Sequence, residues 1–375
     1  MKKKKSPQSK SKCSPSALRV LKGVEGGHDG MKETPGKNHS HPSVSGLSLS
    51  KYVDGVRGGD RAILGRAITL IESNARQDQE LAQKLLAQLM PFAGQSIRIG
   101  ITGLPGAGKS TFIETLGTYL TDRGHKVAVT AVDPSSRISG GSILGDKTRM
   151  ERLSRDPQAF IRPSPGGETL GGVARKTRET ILVFEAAGYD VILVETIGVG
   201  QNETTVRSMV DFFLLLLIAG AGDELQGLKR GVMELADALV INKADGDNIE
   251  RAEKTRRDFE WALGYLQPAT EGWTTPALAC SALTGSGVEA IWSMIEKHCE
   301  TTSQSGVFTG RRREQAREWM HGMLEERVRE KFYEHPEIAK NLPDIEKKVL
   351  DGSLPVTQAV WTLLQLFEKA SLSHE

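Results

Sequence analysis

The segment Gly103-Leu104-Pro105-Gly106-Ala107-Gly108-Lys109-Ser110-Thr111 constrains the fold of this chain more than any other. It follows the apolar run Ile97–Ile101 and leads into a helical pattern expected to begin at Thr111. A glycine-rich turn therefore joins the carboxyl end of a strand to the start of a helix. Glycines let successive backbone N–H groups point inward around an anion, and the helix start adds a favourable dipole. GxxxxGK[ST] in this setting cradles nucleotide phosphates. Lys109 is expected to reach the β- and γ-phosphates, and Ser110 to hold Mg²⁺.

Around that turn the apolar pattern alternates between strand and helix. Ser96–Thr102, Lys126–Asp133, Val191–Thr196, Phe212–Ala219, Ala238–Asn242 and Leu278–Ser281 read as strands with helical stretches between them. Such alternation predicts an α/β fold, a largely parallel sheet covered by helices on both faces. Before it, Ile63, Leu64, Ala67, Leu70 and Ile71 share one helical face behind an Asp60 N-cap, and Leu81, Leu85, Leu86 and Leu89 form a second stripe ending at Pro91. After it, Ala316, Met320, Met323, Leu324, Val328 and Phe332 make one stripe, and Val356, Ala359, Val360, Leu363, Leu364 and Phe367 another. Pro336, Pro343 and Pro355 are expected to separate these last helices. The division expected is a basic tail (1–46), an N-terminal helical region (47–95), a nucleotide-binding domain (96–304) and a C-terminal helical arm (305–375).

Charge narrows the partners. The first 50 residues carry ten Lys or Arg against three acids, leaving 39 bases against 44 acids in the rest of the 375 residues. A mildly acidic body argues against a nucleic-acid-coating surface. The tail, rich in Lys, Ser, Gly and His, reads as a disordered extension. The longest apolar run, Phe212 to Ala219, is too short to span a bilayer. No membrane partner is expected. Cys13, Cys280 and Cys299 form no CxxC pair and fit a reducing compartment. A bacterial cytoplasm is favoured over a mitochondrial matrix, because the Lys-rich start lacks an Arg-rich amphipathic helix.

Base choice rests on Asn242-Lys243-Ala244-Asp245, at the end of the strand Ala238–Asn242. A carboxylate in the base plane can accept from both the ring N–H and the exocyclic amine of guanine, a donor pair adenine lacks. Ser281, Ala282 and Leu283, closing the next strand, fit a backbone contact to the guanine carbonyl. GTP and GDP are the expected ligands. Asp133 and Glu195 each end a strand beside the phosphate turn, where acids hold Mg²⁺ directly or through water. Asp146 is a third candidate.

These residues together resemble the MeaB/ArgK-type GTPases that accompany methylmalonyl-CoA mutase, within the metallochaperone class of P-loop GTPases. The most specific stretches are 131–136, 140–150, 194–201 and 222–231, reading AVDPSS, GGSILGDKTRM, VETIGVGQ and GDELQGLKRG. The resemblance implies switch I at Asp133 to Met150, switch II at Glu195 to Glu203 and a further switch loop at Ala219 to Gly231. It implies that Glu195 replaces the usual Asp of DxxG. Because no glutamine follows Gly198 directly, how the attacking water is positioned stays open, with Asp146 and Gln201 as candidates and slow intrinsic turnover expected. The implied role is GTP-dependent gating of adenosylcobalamin loading into a B12-dependent acyl-CoA mutase, and protection of that mutase. The helical C-terminus resembles the family's dimerisation arm, which implies a homodimer; a helical cap packed on its own nucleotide domain is the alternative. Two other functions stay open, a nickel-delivery GTPase and a P-loop kinase.

Overall fold

Every residue from Phe212 to Leu217 is buried, and alternate side chains of a strand point to opposite faces. Phe212, Leu214 and Leu216 enter one apolar cluster, Phe213 a second, and Leu215 and Leu217 a third. A strand buried on both faces belongs in the middle of a helix-covered sheet. The computed structural model describes residues 46–132, 150–163, 170–196, 202–219 and 230–372. Within them seven strands form one parallel sheet: β1 (Ile97–Gly103), β2 (Val127–Val132), β3 (Ala159–Arg162), β4 (Val191–Thr196), β5 (Phe212–Ile218), β6 (Ala238–Asn242) and β7 (Ala277–Ala279), in the order β3-β2-β4-β1-β5-β6-β7. The expected α/β architecture is the one observed.

The helices, in chain order, are α1 (Leu49–Arg57), α2 (Arg61–Glu72), α3 (Arg76–Leu89), α4 (Lys109–Thr121), α5 (Glu151–Arg155), α6 (Leu170–Ala186), α7 (Asn202–Arg207), α8 (Arg230–Leu235), α9 (Ile249–Leu263), α10 (Val288–Gln304), α11 (Val307–Tyr333), α12 (Pro336–Leu350) and α13 (Val356–Leu372). Asp60 caps α2 as expected, its Oδ1 accepting from Ala62 N at 2.8 Å and Ile63 N at 3.1 Å. Helices α1 to α3 bury Tyr52, Leu64, Ile68, Leu85 and Leu89 in one cluster with Phe184 and Phe213. The opposite face is closed by Phe112 and Leu116 of α4 and Ile291 and Ile295 of α10.

Several boundaries differ from expectation. β1 runs one residue later at each end, because Gly103 still pairs with Leu216. β2 starts at Val127, one residue after the expected Lys126, and Asp133 lies outside the described residues. β5 ends one residue before Ala219. β7 stops at Ala279 rather than Ser281, although Cys280 N still reaches Ile241 O at 2.9 Å; the chain then turns as Ser281 N bonds Ser286 O. β3 had no sequence signal, being four residues long and apolar only in part. Arg61 holds its entry, donating to Pro157 O at 3.0 Å and Ala159 O at 2.6 Å. Pro343 does not separate two helices but lies inside α12. Ile338 before it and Ile345 after it are both buried, and that packing offsets the roughly 3 kcal/mol an interior proline costs.

The amino ends of central strands β1 and β5, away from the phosphate turn, are locked to α11 by buried charge. Arg312 donates to both oxygens of Asp211, at 2.7 and 2.6 Å, and to Gly94 O and Ser96 O, each at 2.6 Å. Gln315 donates to Val210 O at 2.8 Å. Arg98 pairs with buried Glu185 at 2.8 Å. The root of α11 is therefore part of the nucleotide domain's base, and the described residues belong to one compact unit.

Candidate nucleotide-binding site

The phosphate turn sits at the carboxyl end of central strand β1, and α4 begins within it, at Lys109 rather than Thr111. Two glycines there are forced. Gly103 has φ 154°, and a Cβ on it would lie 2.1 Å from Leu216 O; Gly108 has φ 87°, and its Cβ would lie 2.7 Å from Asn242 Nδ2. Both close approaches knit the turn to β5 and β6, whose ends carry the rest of the site. Leu104 and Ala107 are buried, whereas Pro105, Gly106 and Thr111 are exposed at the mouth.

Lys109 Nζ donates to Gly103 O at 2.8 Å and to Leu104 O at 3.3 Å. Burial lowers the pKa of this ammonium, and the carboxylates of Glu195 and Glu203 pull it back toward its usual range. Ser110 Oγ donates to Glu195 Oε1 at 3.1 Å. Glu195 is buried at the end of β4. A hydroxyl and a carboxylate side by side are the hard oxygen donors that suit Mg²⁺. Thr196 Oγ1 donates to Thr102 Oγ1 at 2.8 Å, tying the ends of β4 and β1 behind this pair. Sequence reasoning missed that bridge and gave Glu203 no role beyond closing the implied switch II, since neither threonines nor a helix-start glutamate carry a motif. Asp133, Asp146 and Gln201 lie outside the described residues, as do most of the three implied switch segments.

The second half of the site is built around Asn242, whose side chain is buried. Its Nδ2 donates to Ala107 O at 2.9 Å, while its Oδ1 accepts from Ala282 N at 2.9 Å and from the Cys280 thiol at 3.5 Å. One amide thus joins the phosphate turn to the loop after β7. Burial pushes the Cys280 thiol up to about 12, so it stays a donor. Lys243 has φ 60°, the one non-glycine positive φ among the described residues, and its side chain is exposed. Backbone strain of that kind persists where the surroundings over-determine it. It turns the chain so that Asp245, half-buried, receives the Ser281 hydroxyl on Oδ2 at 2.5 Å. Ser281 and Ala282 are buried and Leu283 is exposed. Thr115 Oγ1 of α4 donates to Ala282 O at 2.6 Å, a further tie absent from any motif.

A phosphate turn on the central parallel strand, joined through one asparagine to an Asn-Lys-x-Asp corner, defines a P-loop GTPase. Comparison with known proteins agrees. The family described as methylmalonyl-CoA mutase-associated GTPase MeaB matches residues 64–337, and the chain belongs to it. It is 48% identical over 285 residues to GTPase ArgK of Escherichia coli K12, covering 76% of this chain and 86% of that one. It is 45% identical over 330 residues to the mouse methylmalonic aciduria type A homolog, mitochondrial, covering 85% and 80%. A crystal structure of an LAO/AO transport system kinase, 38% identical, superposes with a TM-score of 0.69 over 85% of this chain and 97% of that one.

Proposed function

We propose that this GTPase gates the loading of adenosylcobalamin into methylmalonyl-CoA mutase, or a related B12-dependent mutase, and protects that enzyme. The observation that carries the switch is the double use of Asn242, which links the phosphate turn to the guanine corner. The client is supported by the family's description as mutase-associated and by the name of the mouse relative. In this reading Lys109 binds the β- and γ-phosphates and Asp245 with Ser281 to Leu283 reads guanine. Ser110, Glu195, Asp133 and Asp146 hold Mg²⁺, which would neutralise charge on the phosphates. Asp146 and Gln201 orient the attacking water. A bacterial cytoplasm is the proposed location; among the described residues no helix is long and apolar enough to cross a membrane. The test is a pull-down with the immobilised protein, loaded with GDP or with a non-hydrolysable GTP analogue. A B12-dependent mutase retained with a different affinity in the two states is expected. A mutase ignored in both states would contradict the client.

The same reading makes residues 305–375 a dimerisation arm. Beyond its clamped root α11 exposes Met320, Leu324 and Val328 by 58–59%, and α13 exposes Val356, Val360 and Trp361 by 51–67%. An intramolecular cap would cover such residues, so a second copy is the favoured occupant. Removing residues 305–375 altogether would also strip Arg312 from Asp211 and break a buried ion pair, a loss of about 3–5 kcal/mol. Leu324→Glu with Val328→Glu leaves the root intact. Light scattering at micromolar concentration is expected to show a dimer for the parent chain and a monomer for the variant. A monomeric parent chain favours the cap.

A further inference from the structure

Glu203 is a buried carboxylate to which the proposed function assigns no role. It lies in the first turn of α7 and is only 2% exposed. Three residues on, fully buried Val206 packs on β1; a Cβ at Gly100 would lie 2.9 Å from Val206 Cγ1. Helix α7 runs from the end of β4 back toward the start of β5. Residues three apart share a helix face, with about 5 Å per turn along the axis. Glu203 is therefore one turn closer than Val206 to the carboxyl end of β1, where Lys109 Nζ binds Gly103 O. Both Glu195 and Glu203 act electrostatically on Lys109. Glu195 already receives the Ser110 hydroxyl. A buried carboxylate is costly without compensation, and the charge of both acids is felt at the Lys109 ammonium.

Resting on the proposed role of Lys109, we propose that Glu203 is a positioning residue for GTP hydrolysis, holding the Lys109 ammonium in the orientation that meets the transferring phosphoryl group. Nucleotide binding itself is carried by the backbone amides of the phosphate turn and by the guanine corner. Loss of Glu203 should therefore act on turnover and leave binding nearly intact. A preorganised charge aimed at the transferring group lowers the barrier because it needs no rearrangement at the moment of reaction.

Glu203→Gln removes the charge and keeps the shape. Single-turnover hydrolysis at saturating GTP is expected to slow about tenfold or more, while the dissociation constant for GDP stays within about threefold of the parent. Glu203→Asp keeps the charge on a shorter stem and is expected to recover part of the rate. A Glu203→Gln variant with the parent rate overturns the proposal. So does one that loses GDP affinity as much as turnover, the pattern of a purely structural residue. Should Glu203→Gln fail to fold, Glu203→Asp is read alone: turnover lowered about threefold or more with GDP affinity held supports the role, and the parent rate overturns it. A folded Lys109→Ala variant that hydrolyses GTP normally fails the parent reading instead.

Discussion

Lys109→Ala is expected to abolish GTP hydrolysis in a chain that still folds. Lys109 is the only side-chain cation that the phosphate turn supplies, and its ammonium lies 2.8 Å from Gly103 O at the end of β1. Charge builds on the phosphoryl oxygens during transfer, and a fixed cation there acts where water has been excluded. Removing one preorganised donor of this kind typically costs about 10²–10³-fold in turnover. The fold has little stake in the same side chain. Lys109 opens α4, alanine is the best helix former, and α4 is anchored in the core by Phe112, Ile113 and Leu116. Phosphate release measured under single-turnover conditions, beside a circular dichroism spectrum, checks both halves. A variant with native helicity and the parent rate would remove Lys109 from the site.

The fold was legible wherever a residue type answered to one physical need. The six buried residues from Phe212 to Leu217 required a strand covered on both faces, and β5 is that strand. Asp60 before an apolar stripe required a helix start, and the two backbone amides it receives are there. What could not be read was decided by distant partners. Strand β3 is held by Arg61, some 98 residues before Ala159. Pro343 stays helical because Ile338 and Ile345 are buried on either side of it. Local pattern carries neither contact.

The site divides along the same line. The phosphate turn and the Asn242–Asp245 corner are written in consecutive residues, because backbone geometry over a few positions is what they supply. The joints that bring them together are not. Asn242 reaches Ala107 and Ala282, Thr115 reaches Ala282, and Thr196 reaches Thr102. Each joint uses a residue type common in any protein, so only its three-dimensional neighbours mark it out. Glu203 is a further case, an acid at the start of a short helix whose burial follows from the packing of Val206 on β1.

The guanine corner gives the most direct test. Asp245 receives the Ser281 hydroxyl on one oxygen, and a carboxylate keeps enough acceptor capacity for the ring N–H and exocyclic amine of guanine as well. Charge-assisted bonds of this kind are each worth about 1.5–3 kcal/mol. Asp245→Asn sets an amide donor opposite the exocyclic amine, donor against donor, whereas xanthine carries a carbonyl at that place. A site that hydrogen-bonds its substrate discriminates strongly against a mismatched analogue, because buried polar groups are left unpaired. Titrating parent and variant with GTP and with xanthosine triphosphate is expected to show GTP affinity falling and xanthosine triphosphate affinity rising, each by about tenfold or more. Equal GTP affinity in the two proteins, with no gain for the xanthine nucleotide, would contradict the assignment of Asp245 as the guanine reader.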